Sequence, residues 1–158
     1  MAAEEHSAPP QITPERLGDY LEVMSKSIFQ TGISWKVVNN KWPGIRDAFR
    51  GFDATAVASL TEAEIASLAT DPRIIRNRKK VDAIVDNARR TIELDEQHAG
   101  FQNYLRSHGG FEPTVKDLRK NFRFLGDTGA FIFLYVVGQP VPEYEDWCAS
   151  RGRQPVHG

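Results

Sequence analysis

One amphipathic segment constrains the fold of this chain more than any other feature of the sequence. Between Asn77 and about Glu96, apolar residues recur at the period of an α-helix with one buried face, at positions Val81, Ile84, Val85, Ala88 and Ile92. A second stripe with the same period runs from Leu17 to Ile28. No stretch alternates apolar and polar residues as a half-buried strand does. The sequence therefore predicts an all-α fold.

Helix-capping residues and glycines divide the rest of the chain into short segments. The candidate caps are Thr13 ahead of Pro14, Thr61 with Glu64 three residues later, Thr114, and Asp127 or Thr128. We expect roughly seven to nine short helices in one compact domain. This domain is predicted to span residues 12–149, with flexible tails at residues 1–11 and 150–158.

Length and composition favour a single folded domain. The chain has 158 residues, of which 41% are hydrophobic, and this is enough to close one core. The longest apolar run, residues 130–137, is too short to cross a bilayer. Cys148 is the single cysteine, so no internal disulfide can form. We expect a monomer in the cytoplasm with no membrane association.

Basic residues are concentrated in two sectors, although the net charge is only −1. Between Arg73 and Arg90 there are seven basic residues against two acidic ones. The second sector contains Lys116, Arg119, Lys120 and Arg123 against Asp117. Such sectors fit either a phosphate backbone or an ordinary solvated helix face, and charge alone does not separate the two interpretations.

Three segments, taken in order, resemble the 3-methyladenine DNA glycosylase I family over residues 17–138. The first is FQTGISW from Phe29 to Trp35. The second is DPRIIRNRKK from Asp71 to Lys80. It is followed by Ala-Ile at positions 83–84 and by Asn-Ala-Arg at positions 87–89. The third is FRFLGDT from Phe122 to Thr128. The resemblance implies a helix-hairpin-helix glycosylase that flips a damaged base out of DNA and hydrolyses its N-glycosidic bond.

The resemblance also implies roles for particular residues. Trp35 and Gln30 would bind the flipped base, and Gly32 with Ile33 would fill the gap left in the duplex. The third segment also reads physically as helix, glycine hairpin and helix, which is a phosphate-binding arrangement. The predicted DNA-binding set is Gly32, Ile33, Arg76, Arg78, Lys120, Arg123, Gly126 and Thr128. Asp127, however, puts a negative charge where a phosphate would lie.

The sequence departs from the family pattern at two sites. Ser27 stands where the family has a glutamate, so it is the catalytic candidate by position, although serine cannot activate water as a carboxylate does. Glu143, Glu145 or Asp146 is a loose alternative. The family's structural zinc is held by an N-terminal Cys and His and a C-terminal His and Cys, and this set is not present here. We therefore predict no metal and no cofactor.

The leading functional hypothesis is a DNA base-excision repair glycosylase that removes alkylated purines such as 3-methyladenine. The substrate partner would be duplex DNA containing alkylated bases. The alternative is a non-catalytic helix-hairpin-helix module that binds DNA or senses lesions. A third interpretation, a small helical interaction protein without a DNA role, rests on the neutral overall charge.

Overall fold

The computed structural model describes residues 9–152, and within this range the chain is helical and has no strand. Nine α-helices and one short 3₁₀ helix (Arg50–Phe52) follow one another within residues 9–152. The α-helices are α1 Leu17–Gln30, α2 Trp35–Ala48, α3 Ala54–Ala58, α4 Glu62–Ala69, α5 Arg78–His98, α6 Phe101–Leu105, α7 Phe111–Asn121, α8 Asp127–Val136 and α9 Tyr144–Ser150. The predicted all-α fold is confirmed.

The helix starts agree only in part with the predicted caps. Thr61 and Glu64 form the predicted capping box of α4. Helix α1 begins at Leu17, not after Thr13, because the Asp19 carboxylate accepts the backbone N–H groups of Glu15 and Arg16. The other two predicted caps are wrong. The Thr114 hydroxyl donates to the Gly110 carbonyl inside α7, and α8 follows an N-cap glycine, Gly126.

Helix α1 lies between two hydrophobic clusters and belongs to both. Leu21 and Phe29 pack in the first cluster, with α2 to α4 and the first half of α5. Tyr20, Met24 and Ile28 face the second cluster, which is built from α6 to α8 and the end of α5. The α5 residues predicted to face inward, Val81, Ile84, Val85 and Ala88, are all buried. Helices α1 and α5 therefore form the frame on which the rest of the domain packs.

Contacts of the domain extend slightly beyond the predicted boundaries. The Gln11 side chain donates to the Tyr135 carbonyl, and the Ile12 N–H donates to the Val136 carbonyl at the end of α8. Arg151 stacks over the Trp147 ring beyond α9. The rest of the predicted tails, residues 1–8 and 153–158, lies outside the described residues. No helix in residues 9–152 has the length and hydropathy needed to cross a membrane.

Candidate active site and nucleic-acid interface

The turn between α1 and α2, residues 30–33, has type II β-turn geometry. The Ile33 N–H donates to the Gln30 carbonyl over 3.3 Å. Thr31 has φ −66° and ψ 114°, and Gly32 has φ +77°. The third position of a type II turn needs a positive φ, which favours glycine. A Cβ at Gly32 would meet no atom within 4 Å, so space does not exclude a side chain there. The positive φ of the backbone is therefore the reason for a glycine at this position.

Trp35 is the one tryptophan of the three that the fold leaves partly accessible. It is the first residue of α2, directly after the α1–α2 turn, and it is half-buried. Trp42 is buried against Phe52, with 5.4 Å between the ring centroids, and Trp147 is buried against Phe131. Trp35 therefore differs from the other two tryptophans in that it is not part of the described hydrophobic clusters.

Ser27 and Gln30 lie in the last turn of α1. Gln30 is half-buried, whereas Ser27 is buried, with 6% of its surface exposed. A Cβ placed on Gly129, in the first turn of α8, would lie 3.9 Å from the Ser27 Cβ. Ser27 therefore faces the start of α8. Thr31 follows one helical turn later, and its hydroxyl donates to the Ser27 carbonyl.

The hairpin between α7 and α8, residues 122–126, joins two helices as predicted. Its left-handed residue is Phe124, with φ +60°, and the Phe124 side chain is 49% exposed. Gly126 has φ −91°, a conformation open to any residue, and a Cβ there would meet no atom within 4 Å. At Gly126 the glycine therefore leaves open space in front of α8 instead of relieving backbone strain.

Two buried polar side chains of α5 bind these two turns. The Lys80 ammonium donates to the Thr31 carbonyl over 3.1 Å, and burial lowers the pKa of this lysine. The Asn87 amide accepts the Arg123 N–H over 2.8 Å and donates to the Arg123 carbonyl over 3.1 Å. Both residues fall in the second sequence segment that carries the family resemblance, but the sequence analysis assigned them no role.

A cleft of about 1330 Å³ lies in front of the hairpin. Helix α7, the hairpin, the start of α8, Arg151 and Thr31 of the α1–α2 turn line it. Of the predicted DNA-binding residues, the cleft brings together Lys120, Gly126 and Thr128. Trp35, Gln30 and Ser27 do not line it. Thr31, which follows Gln30 directly, is therefore the residue of the α1–α2 turn that lines the cleft.

The arginines near the cleft are paired with acidic residues, whereas the lysines are not. Asp127 accepts hydrogen bonds from Arg119 over 3.1 Å and from Arg151 over 3.2 Å. Arg151 also binds Glu112 through both of its terminal nitrogens. Within residues 9–152, Lys116 and Lys120 make no ion pair. Asp127 therefore lies at the start of α8 between two guanidinium groups, which offset its negative charge.

The remaining predicted DNA-binding residues do not line the cleft. Arg123 is exposed and pairs with Asp86 over 2.5 Å. Arg78 pairs with Glu62 and Asp82, and Arg76 is exposed with no ion pair in the described part of the chain. Gly32 is exposed and Ile33 is half-buried on the α1–α2 turn.

The carboxylates considered as substitutes for the family glutamate, Glu22, Glu143, Glu145 and Asp146, are all engaged elsewhere or placed away from the cleft. Glu22 accepts the Trp42 indole N–H over 2.9 Å and the Arg46 Nε–H over 3.2 Å, so both of its oxygens are engaged. Glu143, Glu145 and Asp146 are exposed at the start of α9, and none of them lines the cleft.

The residues around Cys148 do not fit the zinc site that the family resemblance implies. Cys148, the single cysteine of the sequence, is buried in an aromatic cluster with Phe131 and Trp147. Residues 9–152 contain no group of three or more His, Cys, Asp or Glu side chains placed to hold a metal ion. Aromatic packing and the contact of Arg151 with Trp147 hold α9 instead.

Comparison with known proteins identifies the family. The family model described as methyladenine glycosylase matches residues 17–121, two thirds of the chain. The chain belongs to the methyladenine glycosylase family. The matched range contains the α1–α2 turn, Trp35 and all of α5, and it ends one residue before the hairpin.

Curated relatives and solved structures agree with this assignment. DNA-3-methyladenine glycosylase 1 of Escherichia coli (strain K12) is 28% identical over 147 residues, covering 80% of this chain and 79% of that protein. The Haemophilus influenzae DNA-3-methyladenine glycosylase is 26% identical over 130 residues, with 69% and 70% covered. The 3-methyladenine DNA glycosylase I of Staphylococcus aureus has the same fold, with a TM-score of 0.72 at 23% identity and coverage of 87% and 84%.

Proposed function

We propose that this protein is a base-excision repair glycosylase that releases alkylated purines such as 3-methyladenine from duplex DNA. The observation that carries the proposal is the position of Trp35 in a methyladenine glycosylase fold. Trp35 is the partly accessible tryptophan, and it follows the α1–α2 turn directly. Ser27 and Gln30 lie at the C-terminal end of α1, just before that β-turn. In this proposal the enzyme acts as a monomer in the cytoplasm.

The chemistry does not require a carboxylate at Ser27 when the base is already cationic. Alkylation at a ring nitrogen gives the base a positive charge. When the bond between C1′ and the base nitrogen breaks, its electron pair moves to the base and neutralises that charge. A water oxygen then bonds to C1′ and its proton passes to solvent. The protein supplies mainly flipping, stacking and positioning of the nucleotide.

Trp35 provides the recognition that suits such a base. An aromatic face attracts a stacked cation by roughly 0.5–2 kcal/mol beyond ordinary stacking. A neutral damaged base gains no such attraction, and it needs protonation to leave. With serine at position 27 no carboxylate supports that protonation, so we propose that substrates are restricted to positively charged alkylpurines.

We assign the phosphate contacts to the cleft in front of the hairpin. Lys116 and Lys120 supply positive charge at the cleft, and neither lysine makes an ion pair within residues 9–152. Gly126 leaves open space in front of α8, through which a phosphate oxygen can approach the backbone. These features support the helix-hairpin-helix interpretation of the third sequence segment.

The second candidate function is a lesion-sensing module that binds alkylated DNA without cutting it. Ser27 favours this candidate, because the family's glutamate is the group that the chain lacks. The two candidates share the fold and the DNA interface, and they differ only in whether the N-glycosidic bond breaks.

An excision assay on methylated duplex DNA separates the two candidates. We expect the wild-type protein to release free 3-methyladenine, and the S27E variant to release it at the same rate or faster. A duplex with a neutral lesion should remain intact with the wild-type protein. Tight binding of alkylated DNA with no released base, in both the wild-type protein and S27E, would favour the lesion-sensing module.

A further inference from the structure

Helix α5 carries three buried polar residues, Lys80, Asn87 and Thr91, and the first two each bind the backbone of a different turn. Lys80 is 7% exposed and Asn87 is 1% exposed. Lys80 binds the Thr31 carbonyl in the α1–α2 turn, and Asn87 binds both backbone groups of Arg123 in the hairpin. These contacts span 49 and 36 residues of sequence, so they join parts of the chain that local structure does not connect.

Lys80 is an unusual residue for this position. A buried ammonium group is unfavourable unless it is paired, and among the described residues the Thr31 carbonyl is its only hydrogen-bond acceptor. A methionine would fill the same volume without desolvating a charge. The position of the ammonium group therefore points to a specific task at the Thr31 carbonyl and not to packing.

The Thr31 carbonyl belongs to the central peptide of the α1–α2 turn. Type I and type II turns differ mainly in the orientation of this peptide, which reverses between them. The hydrogen bond from Lys80 holds the carbonyl in its type II orientation. It thereby fixes the direction in which Gly32 and Ile33 project, which are the residues assigned to the gap in the duplex.

Asn87 performs the corresponding task on the hairpin. Its amide pairs with Arg123 through one donor and one acceptor, as a neighbouring strand would. Arg123 directly precedes Phe124, the left-handed residue of the hairpin. This pairing fixes the hairpin against α5 at the point where the chain reverses.

We infer that Lys80 and Asn87 are positioning residues that hold the α1–α2 turn and the hairpin at a fixed separation along α5. Seven helical residues rise about 10.5 Å and complete almost two turns, so both side chains lie on one face of the helix. Flipping requires that one element fills the duplex while the other grips the backbone at a set distance. This inference rests on the proposed function.

The experiment compares K80M with the control K79M, which removes the same charge from the exposed neighbour. Two readouts are measured below the melting temperature of both variants. One is the fluorescence of 2-aminopurine placed next to an abasic analogue, which reports flipping without any excision. The other is affinity for undamaged duplex. We expect K80M to lower the flipping signal about tenfold or more while affinity stays within about twofold, and K79M to leave flipping unchanged.

Asn87 is tested in the same assays with N87L and N87D. N87L should weaken undamaged-duplex affinity about tenfold because the hairpin loses its anchor, and N87D should retain part of that affinity because it still accepts the Arg123 N–H. Flipping that is unaffected in K80M, or equal in K80M and K79M, would overturn the inference. A K80M variant in which the flipping signal and the duplex affinity fall in the same proportion would also overturn the inference. Because flipping is read without base release, an inactive wild-type protein would refute the proposed function alone.

Discussion

The α1–α2 turn and the hairpin each contain one glycine, yet the two glycines solve different physical problems. Gly32 has a positive φ, and the type II turn cannot form without such a residue. Gly126 has an ordinary φ, and the left-handed residue of the hairpin is Phe124. The comparison shows that the backbone of the α1–α2 turn needs a glycine at Gly32, whereas the backbone at Gly126 does not.

The two regions also differ in their charges. At the α1–α2 turn the cation Lys80 is buried and bound to the Thr31 carbonyl. Beside the hairpin, charges are numerous and partly cancel, because Asp127 pairs with Arg119 and Arg151. In the proposed function the first region receives the base and the second receives the phosphate backbone, where Asp127 would weaken binding.

The largest expected effect is at the base-binding side. W35A should lower the single-turnover excision rate about 10- to 100-fold, since stacking on one base contributes roughly 1–3 kcal/mol. W35F should retain most of the rate because it keeps an aromatic face. Affinity for undamaged duplex should not change in either variant. An equal loss of excision and of undamaged-duplex affinity in W35A would contradict a role for Trp35 in base stacking.

The two glycines provide the sharpest test of the comparison. G32A should lower the free energy of unfolding by about 1–2 kcal/mol, because alanine is strained at a positive φ. G126A should change it by less than about 0.5 kcal/mol but weaken duplex binding, because the added methyl group occupies the space before α8. Chemical denaturation and fluorescence anisotropy measure the two quantities. A destabilised G126A with unchanged affinity would reverse the comparison.

The smallest expected effect concerns Asp127 and the lysines of α7. D127N should raise duplex affinity a few-fold at low salt, because Arg119 loses its carboxylate partner while Arg151 stays paired with Glu112. K120A should reduce the slope of log affinity against log salt by about 0.9. The control E96Q removes an exposed acid near the end of α5 that does not line the cleft. If E96Q raises affinity as much as D127N does, net charge alone explains the effect.

The sequence by itself determined the helical class, the long helix α5 and its buried face, because these depend on a period that any short window displays. It also located the segments around Trp35 and the hairpin. It missed the starts of α1 and α7. For α1 the Asp19 carboxylate rather than Thr13 binds the backbone N–H groups at the helix start, and α7 begins after Gly110, which makes no side-chain cap.

Only the tertiary structure decided how those segments work together. The bonds from Lys80 to Thr31, from Asn87 to Arg123 and from Arg151 to Asp127 all join residues far apart in sequence. No local pattern encodes them, because a buried donor or charge is satisfied by whichever group packing brings within about 3 Å. In the sequence, the negative charge of Asp127 stood as an obstacle to DNA binding. The packing of Arg119 and Arg151 against Asp127 offsets that charge.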